Sequence, residues 1–180
     1  EIQPSSGDVR FCGRRTTGIG VDVLARAGVC TIPEGRGIFP NLTVADNLRM
    51  STFVGAPAAR IESIAFETFP RLAERRNQLA GLLSGGEQQM LALARAISTD
   101  PAVLIIDELS MGLAPMIVAQ LYRTVREIAR TRHLPIVVTE QFAHDVLNVA
   151  DRAVVLAHGR IIAMGPPHEI AADAAALYLS

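Results

Sequence analysis

Short runs of aliphatic residues, each about five residues long, divide the chain and predict the strands of a buried sheet. The clearest run is AVLII at residues 102–106, whose β-branched and aliphatic composition is typical of a parallel strand buried on both faces. The other predicted strands cover residues 9–12, 29–33, 136–139, 154–157 and 160–163. Since helical patterns separate most of these runs, the alternation predicts an α/β fold.

A helical insertion interrupts this alternation in the middle of the chain. The predicted helices cover residues 21–27, 58–66, 87–98 and 171–176, and another opens at Thr43 and Asp46. Within residues 87–98, apolar positions recur at helical spacing and predict one buried face, formed by Met90, Leu93, Ala94 and Ile97. A further helix begins at Pro115 and turns four side chains inward, those of Val118, Leu121, Val125 and Ile128.

The composition agrees with one compact domain. A length of 180 residues allows a sizeable core, and 49% of the residues are hydrophobic. The apolar runs are far shorter than the roughly 20 residues that span a bilayer, so no membrane helix is predicted. The net charge is −1 and the arginines are scattered along the chain, which argues against a nucleic-acid partner.

The cysteines and histidines show no metal-ligand spacing, so no structural metal is predicted. Cys12 and Cys30 lie in or beside predicted strands and are interpreted as buried free thiols. The histidines are interpreted as surface or loop residues, namely His133, His144, His158 and His168. The charged group at residues 71–76 is interpreted as a solvated helical face, with a docking surface as the less favoured alternative.

Two adjacent glycines stand at the start of the helix predicted near residues 87–98. Ser84 and Glu87 have the spacing of a capping box, in which the serine side chain accepts the Glu87 N–H and the glutamate reaches back. Glycine in a helix costs about 1 kcal/mol relative to alanine, so Gly85 and Gly86 make poor sense for stability alone. They fit a site where a phosphate approaches the bare N–H groups of a helix amino terminus.

Paired carboxylates follow the strand at residues 102–106. Ligands of open parallel sheets bind at the carboxyl ends of the strands, which is where Asp107 and Glu108 stand. There Asp107 would hold a hydrated Mg²⁺, and Glu108 would orient and deprotonate an attacking water. Alone, such a pair also fits a solvated loop, and a Ser-Gly-Gly turn also fits a plain cap. Together, and in this order, the two motifs favour a nucleotide hydrolase.

With these motifs, nearly the whole chain resembles the ATP-binding subunits of ABC transporters. LSGGEQQ at residues 83–89 resembles the signature motif of that family, and LIIDE at residues 104–108 resembles Walker B. SMGL at residues 110–113 lies at the place of the D-loop, and Glu140 and Gln141 follow a strand at the switch position. Four segments resemble the second ATPase subunit of branched-chain amino acid transporters: residues 32–36, 38–44, 69–72 and 74–81.

The resemblance implies a fold and a division of the chain. The fold would be α/β, a RecA-like P-loop NTPase core of the ABC ATPase type with an inserted α-helical subdomain. Residues 1–180 would form a single ABC ATPase domain, partial because its P-loop segment is missing. Within it, residues 1–42 would be a core segment ending in the Q-loop, residues 43–99 the helical subdomain with the signature motif, and residues 100–180 the rest of the core.

The resemblance also implies roles for single residues, with ATP and Mg²⁺ as the ligands. The catalytic residues would be Glu108 and Gln141, and Asp107 would hold Mg²⁺ through water. The signature residues that serve the ATP of a facing subunit would be Ser84, Gly85, Gly86 and Gln88. Glu34 would couple the Q-loop to the membrane subunit, and Ser110 and Gly112 would belong to the D-loop.

Several positions depart from the family pattern. The Walker A motif, G-x-x-x-x-G-K-[ST], has no counterpart here, because all 17 basic residues are arginines. The chain begins at Glu1, so we expect a sequence truncated before, or lacking, its P-loop. Leu109 replaces a proline and is expected to loosen the loop that follows. Gln141 cannot carry a proton, although it can hydrogen-bond a phosphate.

The resemblance implies the ATP-hydrolysing subunit of an importer for branched-chain amino acids or related solutes, peripheral on the cytoplasmic face of the membrane. Its expected partners are a second ABC ATPase subunit, membrane permease subunits and, indirectly, a periplasmic or extracellular solute-binding protein. Two alternatives stay open. One is a non-catalytic partner that lends only its signature motif, which the absence of lysine supports. The other is a DNA-acting ABC-type ATPase, against which the missing basic stripe argues.

Overall fold

The computed structural model describes residues 6–141 and 144–170, in which strands and helices alternate on either side of a helical stretch. The strands are β1 (Arg10–Phe11), β2 (Arg14–Arg15), β3 (Val29–Ile32), β4 (Val103–Asp107), β5 (Ile136–Thr139), β6 (Ala153–Ala157) and β7 (Arg160–Gly165). The helices are α1 (Val21–Arg26), α2 (Val44–Arg49), α3 (Ala58–Thr68), α4 (Pro70–Glu74), α5 (Gly85–Ile97), α6 (Pro115–Arg132) and α7 (His144–Leu147). Two 3-10 helices, Met50–Val54 and Ala80–Leu82, connect the central helices. The helix predicted at residues 171–176 lies outside the described residues.

The strands β3, β4 and β5 form a parallel sheet in that order. Ile32 lies opposite Ile106, which in turn lies opposite Val138, so the three strands run level with one another. Parallel strands joined by helices confirm the predicted α/β fold. Because the carboxyl ends of these strands meet at one edge, the residues that follow each strand are brought close together.

The two faces of this sheet are covered unequally. Leu104 and Ile106 are fully buried and share one hydrophobic core with Leu121 of α6. On the opposite face, Val137 is 52% exposed, and its neighbour Ile105 in β4 is only partly buried. The prediction that β4 is buried on both faces is therefore wrong for one face, because the core shared with the helices lies on the side of Leu104.

Helix α5 is buried more extensively than its sequence pattern predicts. Three of the residues assigned to its buried face are fully buried, namely Leu93, Ala94 and Ile97. Met90 is only partly buried, whereas Leu91 and Ala92 on other sides of the helix are also buried. The reason is that α5 packs against α2, α3 and α4 and also against β3 and α6. A single amphipathic face therefore underestimates the burial of this central helix.

Helix α6 follows its predicted pattern. The four residues expected to face inward are all buried, namely Val118, Leu121, Val125 and Ile128. Tyr122 is buried as well, at 1% exposure, and the sequence pattern did not indicate it. A buried tyrosine hydroxyl requires a hydrogen-bond partner inside the protein, so this residue draws a polar group of another element toward α6.

Several surface assignments can be compared with the structure. Cys12 is exposed in the turn between β1 and β2, so the prediction of a buried thiol is wrong there. Cys30 is partly buried, and this burial raises the pKa of its thiol. The histidines are exposed, as predicted: His133, His144, His158 and His168. Among residues 6–141 and 144–170, no helix has the length and hydrophobicity that crossing a membrane requires.

Gly28 lies where the turn between α1 and β3 crosses the segment before β4. Its φ is +94°, and a Cβ there would lie 2.9 Å from the Ala102 Cβ. Its carbonyl accepts a hydrogen bond from the Ala102 N–H at 2.9 Å. This crossing therefore depends on a glycine at position 28, for its backbone angle as well as for space.

We expect Gly28→Ala to lower the free energy of unfolding by about 2–4 kcal/mol, since left-handed strain and overpacking add. Gly55→Ala is the matched control, because Gly55 has a φ of +84° but open space around its would-be Cβ. The control should cost about 1–2 kcal/mol. Urea unfolding of both variants measures the difference, and equal losses would contradict the packing explanation.

Candidate functional site

Paired carboxylates lie at the carboxyl edge of the sheet, as the sequence predicts. Asp107 ends β4 directly opposite Thr139, the last residue of β5. The Thr139 hydroxyl donates to the Asp107 carboxylate, and the Glu108 N–H donates to the Thr139 carbonyl at 3.0 Å. Asp107 is exposed and Glu108 is half-buried. The end of β5 therefore fixes both residues at the edge where ligands of parallel sheets bind.

The backbone of Glu108 is held in a sparsely populated conformation. Its φ is +49°, in the left-handed region, which a non-glycine residue adopts at a cost of about 1–2 kcal/mol. Strain of this kind persists only where neighbours enforce it, and it is common at active sites. Leu109 anchors the loop here, because it is 1% exposed and its carbonyl accepts from Gln89 Nε2 at 3.0 Å. The leucine side chain packs into the core, and the loosening expected from the replacement of proline stays a prediction.

A capping box starts α5, as the sequence predicts. The Ser84 hydroxyl accepts the Glu87 N–H at 3.4 Å, and the Glu87 carboxylate accepts the Ser84 N–H at 2.9 Å. Ser84 is exposed, whereas Gly85 and Gly86 are half-buried. The first turn of α5 is therefore fixed locally while its cap stays accessible to solvent.

Glu87 is a buried carboxylate whose charge is compensated. It is 9% exposed, and it pairs with Arg75 Nε at 2.7 Å and with the Arg71 guanidinium at 3.6 Å. Burial alone would raise the pKa of Glu87, but the N–H and hydroxyl of Ser84, together with the Arg75 charge, outweigh burial and lower it. The solvated face predicted for residues 71–76 is therefore wrong for Arg75, because its guanidinium pairs with a carboxylate of α5.

The two glycines of α5 are surrounded by side chains of this same chain. A Cβ at Gly85 would lie 2.9 Å from Leu113 Cδ2 and 3.0 Å from an Arg36 guanidinium nitrogen. A Cβ at Gly86 would lie 2.7 Å from Ile117 Cγ2. The sequence predicted that something approaches the glycine backbone closely, and in the structure side chains of the same chain make that approach. Stability within the chain is by itself a sufficient reason for both glycines.

Arg36 joins the start of α5 to the loop after β3, a link that the sequence analysis missed. Its guanidinium donates to Gln88 Oε1, while Gln88 Nε2 donates to the Ala80 carbonyl at 3.1 Å. Arg36 has a φ of +75° and stands between two glycines that also have positive φ. The Gly-Arg-Gly sequence at residues 35–37 was the signal that could have indicated this turn. Glu34 lies exposed in the same turn. The contact between this turn and Gln88 is made by the arginine.

Ser110 and Gly112 lie in the loop between β4 and α6. Ser110 donates twice to the Glu140 carboxylate, from its N–H at 2.9 Å and from its hydroxyl at 2.7 Å. Gly112 has a φ of +72° and open space around its would-be Cβ. Gln141 follows Glu140 and is exposed. The structure thus joins Ser110 to Glu140, the residue before Gln141. The sequence had suggested no separate role for Glu140.

Magnesium would meet few protein donors at this edge. Within the residues that the structure describes, no group of three His, Cys, Asp or Glu side chains is close enough to hold a metal ion. Mg²⁺ usually keeps several waters and is held by one or two carboxylates together with substrate phosphates. The exposed Asp107 carboxylate, oriented by the Thr139 hydroxyl, fits that mode of binding.

The sequence matches a family model and named relatives. A family model described as ABC transporter matches residues 1–110. The high-affinity branched-chain amino acid transport ATP-binding protein BraG of Pseudomonas aeruginosa is 40% identical over 163 residues, covering 89% of this chain and 69% of BraG. The Nod factor export ATP-binding protein I of Rhizobium etli is 34% identical over 150 residues, covering 82% of this chain and 47% of that protein.

The fold matches solved structures as well. The structure of cbiO1 from Clostridium perfringens, described as part of the ABC transporter complex cbiONQ, superposes with a TM-score of 0.82. The match covers 96% of this chain and 70% of that chain. At 21% identity it is a statement about the fold alone. The RecA-like α/β core with a helical insertion, which the sequence predicts, is confirmed by this likeness.

We expect Gly86→Ala to lower the free energy of unfolding by about 1–3 kcal/mol, because the new methyl would overpack against Ile117. In an Ile117→Ala background the same change should be neutral or stabilising by up to about 1 kcal/mol, since the opposing Cγ2 is gone and alanine favours a helix over glycine. Urea unfolding of the four proteins completes this double-mutant cycle. Equal losses in both backgrounds would contradict packing as the reason for the glycine.

We expect Glu87→Gln to lower the free energy of unfolding by about 1–2 kcal/mol at neutral pH. Glutamine keeps the capping geometry but loses the charge that pairs with Arg75. Because the folded-state pKa of Glu87 is lowered, its contribution is fully present above the unfolded-state value of about 4.3. The contribution is lost as the pH falls through the folded-state value, so wild type and variant should converge in acid.

The control for this pH dependence is Glu127→Gln, which removes an exposed carboxylate from α6. The Glu127 variant should match wild type at every pH, because an exposed carboxylate contributes little to stability. Urea unfolding between neutral pH and about pH 3 covers the relevant range. A difference between wild type and Glu87→Gln that stays constant over this range would show that the ion pair is not its cause.

Proposed function

This chain belongs to the ABC transporter family, and on that premise we propose that it is the ATP-binding and ATP-hydrolysing part of an importer subunit. The observation that carries the proposal is the contact between the capped start of α5 and the loop that follows Glu108. This contact fixes an accessible helix amino terminus against the loop that follows a strand-end carboxylate. A helix amino terminus suits an anion, and such a carboxylate suits the activation of water.

Glu108 is the proposed general base. Its backbone is fixed at the sheet edge by Thr139 and by the buried Leu109. There it would orient a water and accept its proton, while Gln141 would donate a hydrogen bond to the terminal phosphate. Asp107, held by the Thr139 hydroxyl, would bind Mg²⁺ through water. When bound, Mg²⁺ would neutralise part of the negative charge on the phosphates.

The start of α5 is proposed to serve the ATP of a second subunit. Ser84 offers an exposed hydroxyl, and the first-turn N–H groups at Gly85 and Gly86 favour an anion. The side chains packed around these glycines hold the helix against the loop that contains Ser110 and Gly112. Two such subunits facing head to tail would enclose ATP between them. The different affinity of ATP for the closed and open pairs would then drive a transport step.

The turn after β3 is proposed to contact a membrane permease subunit. Glu34 is exposed in this turn, and Arg36 holds Gln88 of α5. Beside the turn, a cavity of about 260 Å³ opens between β3 and α5, and Phe53, which is 70% exposed, lies at its wall. An amphipathic helix can dock its apolar face into such a groove. Movement of a docked helix would reach the α5 start, within the proposed helical subdomain of residues 43–99, through Arg36.

Branched-chain amino acids or related solutes are the proposed cargo. The support is the 40% identity to BraG, which is named for branched-chain amino acid transport. A relative named for export is 34% identical, so the direction of transport has to be measured together with the solute. The proposed location is the cytoplasmic face of the membrane, with a second ATPase subunit, permease subunits and, indirectly, a solute-binding protein as partners.

A second candidate function is that of a non-catalytic subunit which lends only residues 84–86 to its partner. The observation in its favour is that the basic residues of the chain are all arginines, so these 180 residues supply no phosphate-loop lysine. Under this alternative, the full-length protein would bind no ATP at its own carboxylates. Hydrolysis by its partner would nevertheless require Ser84.

We expect Glu108→Gln, in the full-length protein assembled with its partner subunits, to bind ATP normally and to hydrolyse it at least about 100-fold more slowly. The amide cannot accept the proton of the attacking water, so the closed, ATP-bound dimer should accumulate. Steady-state phosphate release and size-exclusion chromatography measure the two effects. Glu127→Gln, which removes an exposed carboxylate from α6, is the matched control and should keep the wild-type rate.

Each arm of this experiment separates two possibilities. Normal hydrolysis by Glu108→Gln would exclude Glu108 as the general base. Absence of ATP binding by the wild-type protein, combined with loss of the partner's hydrolysis in Ser84→Ala, would favour the non-catalytic subunit. Uptake of leucine into proteoliposomes, compared with a charged amino acid and with efflux, tests the solute class and the direction.

A further inference from the structure

The Glu140 carboxylate is a meeting point of three elements at the carboxyl edge of the sheet. It accepts the Ser110 N–H at 2.9 Å and the Ser110 hydroxyl at 2.7 Å, both from the loop after β4. It also accepts the Tyr122 hydroxyl from α6. Glu140 itself follows β5 and directly precedes Gln141. One side chain thus ties the segment that carries Gln141 to the loop that begins at Glu108.

The hydrogen-bond donors around this carboxylate hold it in one orientation. Tyr122 is 1% exposed, so its hydroxyl needs an acceptor inside the protein, and Glu140 provides one. Burial raises the pKa of Tyr122, and the hydrogen bond to Glu140 and the charge of that carboxylate raise it further. Hydrogen bonds to a charged acceptor are roughly twice as strong as neutral ones. Three donors on two oxygens therefore fix both the position and the plane of the carboxylate.

We propose that Glu140 is a positioning residue that sets Glu108 and Gln141 at a fixed separation. The inference rests on the proposed function, because it concerns the hydrolysis assigned to those two residues. Ser110 stands just after Glu108 in one loop, and Gln141 is bonded covalently to Glu140, so any slack between Ser110 and Glu140 changes that separation. A misplacement of about 1 Å can cost about 100-fold in rate.

The same link reaches the surface proposed to face a second subunit. Ser110 and Gly112 belong to that surface, and Ser110 is the residue that Glu140 holds by two hydrogen bonds. A shift of this loop when the two subunits close is therefore transmitted through Glu140 to Gln141. Glu140 makes the position of Gln141 depend on the closed state of the dimer.

The donors determine which substitutions preserve the link. Glutamine at this position keeps an oxygen for the Ser110 N–H and the Tyr122 hydroxyl, and its amide can donate to the Ser110 hydroxyl, since a hydroxyl both donates and accepts. Alanine removes all three interactions. Glu140→Gln is therefore the conservative variant and Glu140→Ala the disruptive one, while Ser110→Ala removes only the hydroxyl arm.

The test measures ATP hydrolysis by the full-length protein in complex with its partner subunits. We expect Glu140→Ala to lower kcat about 10- to 100-fold while KM for ATP changes by about threefold or less. Glu140→Gln should restore most of the rate. Because Ser110 and Glu140 act through one link, their losses should not multiply in the double alanine variant. Glu127→Ala, at an exposed position of α6, is the control and should behave as wild type.

Two kinetic results would overturn the proposal. One is a wild-type kcat in Glu140→Ala, and the other is a pair of losses from Ser110→Ala and Glu140→Ala that multiply, as for independent sites. A wild-type protein that neither binds nor hydrolyses ATP would instead overturn the proposed function. Hydrogen exchange then decides the link by itself.

Hydrogen exchange of the same proteins requires no activity. We expect Glu140→Ala to speed amide exchange in residues 108–113 and in residues 140–141 together, whereas Glu140→Gln should exchange as wild type does. Faster exchange in both segments supports the link. Faster exchange in one segment alone, or in neither, contradicts it.

Discussion

The close packing of the α5 start against the loop between β4 and α6 is the contact on which the rest of the site depends. Leu113 and Ile117 occupy the space that a side chain at Gly85 or Gly86 would need. This contact sets the distance between the helical segment and the carboxyl edge of the sheet. Overpacking here would move α5 as a unit, because its remaining faces are already buried against helices and β3. The accessible helix terminus and the strand-end carboxylates are thus held by one piece of packing.

Three carboxylates around this contact are held by donors from other elements or from their own cap. The Glu87 carboxylate accepts the Ser84 N–H and forms an ion pair with Arg75, and the Asp107 carboxylate accepts the Thr139 hydroxyl. Glu140 is bound by donors from two elements, one of which is the buried Tyr122 of α6. Of the three, only Glu87 is buried, and leaving a buried charge without its partner costs several kcal/mol. At the edge of the sheet, side-chain hydrogen bonds hold Asp107 and Glu140 in place, which suits a site that must position a water.

The proposed function and the positioning role of Glu140 use this order in different ways. Hydrolysis needs Glu108 to face a water, and its left-handed backbone is a strain that the buried Leu109 helps to maintain. Communication with a second subunit needs a loop that can shift without losing its hold on the sheet. Ser110 suits this need, because its two hydrogen bonds end on one carboxylate that moves with Gln141. The loop is therefore attached to the sheet edge, and a shift at its surface would still be transmitted to Gln141 through Glu140.

The sequence by itself determined the strands of the parallel sheet and the longer helices, the capping box of Ser84 and Glu87, the inward face of α6 and the placement of Asp107 and Glu108 at a strand end. These features depend on residues a few positions apart, whose spacing is visible in the chain. Only the tertiary structure decided that Leu113 and Ile117 lie against the glycines, that Arg36 reaches Gln88, and that Glu140 joins Ser110 to Tyr122. These contacts join residues between 18 and 52 positions apart, so they depend on how α5, α6 and the sheet pack together. The local periodicity of the sequence does not show that packing.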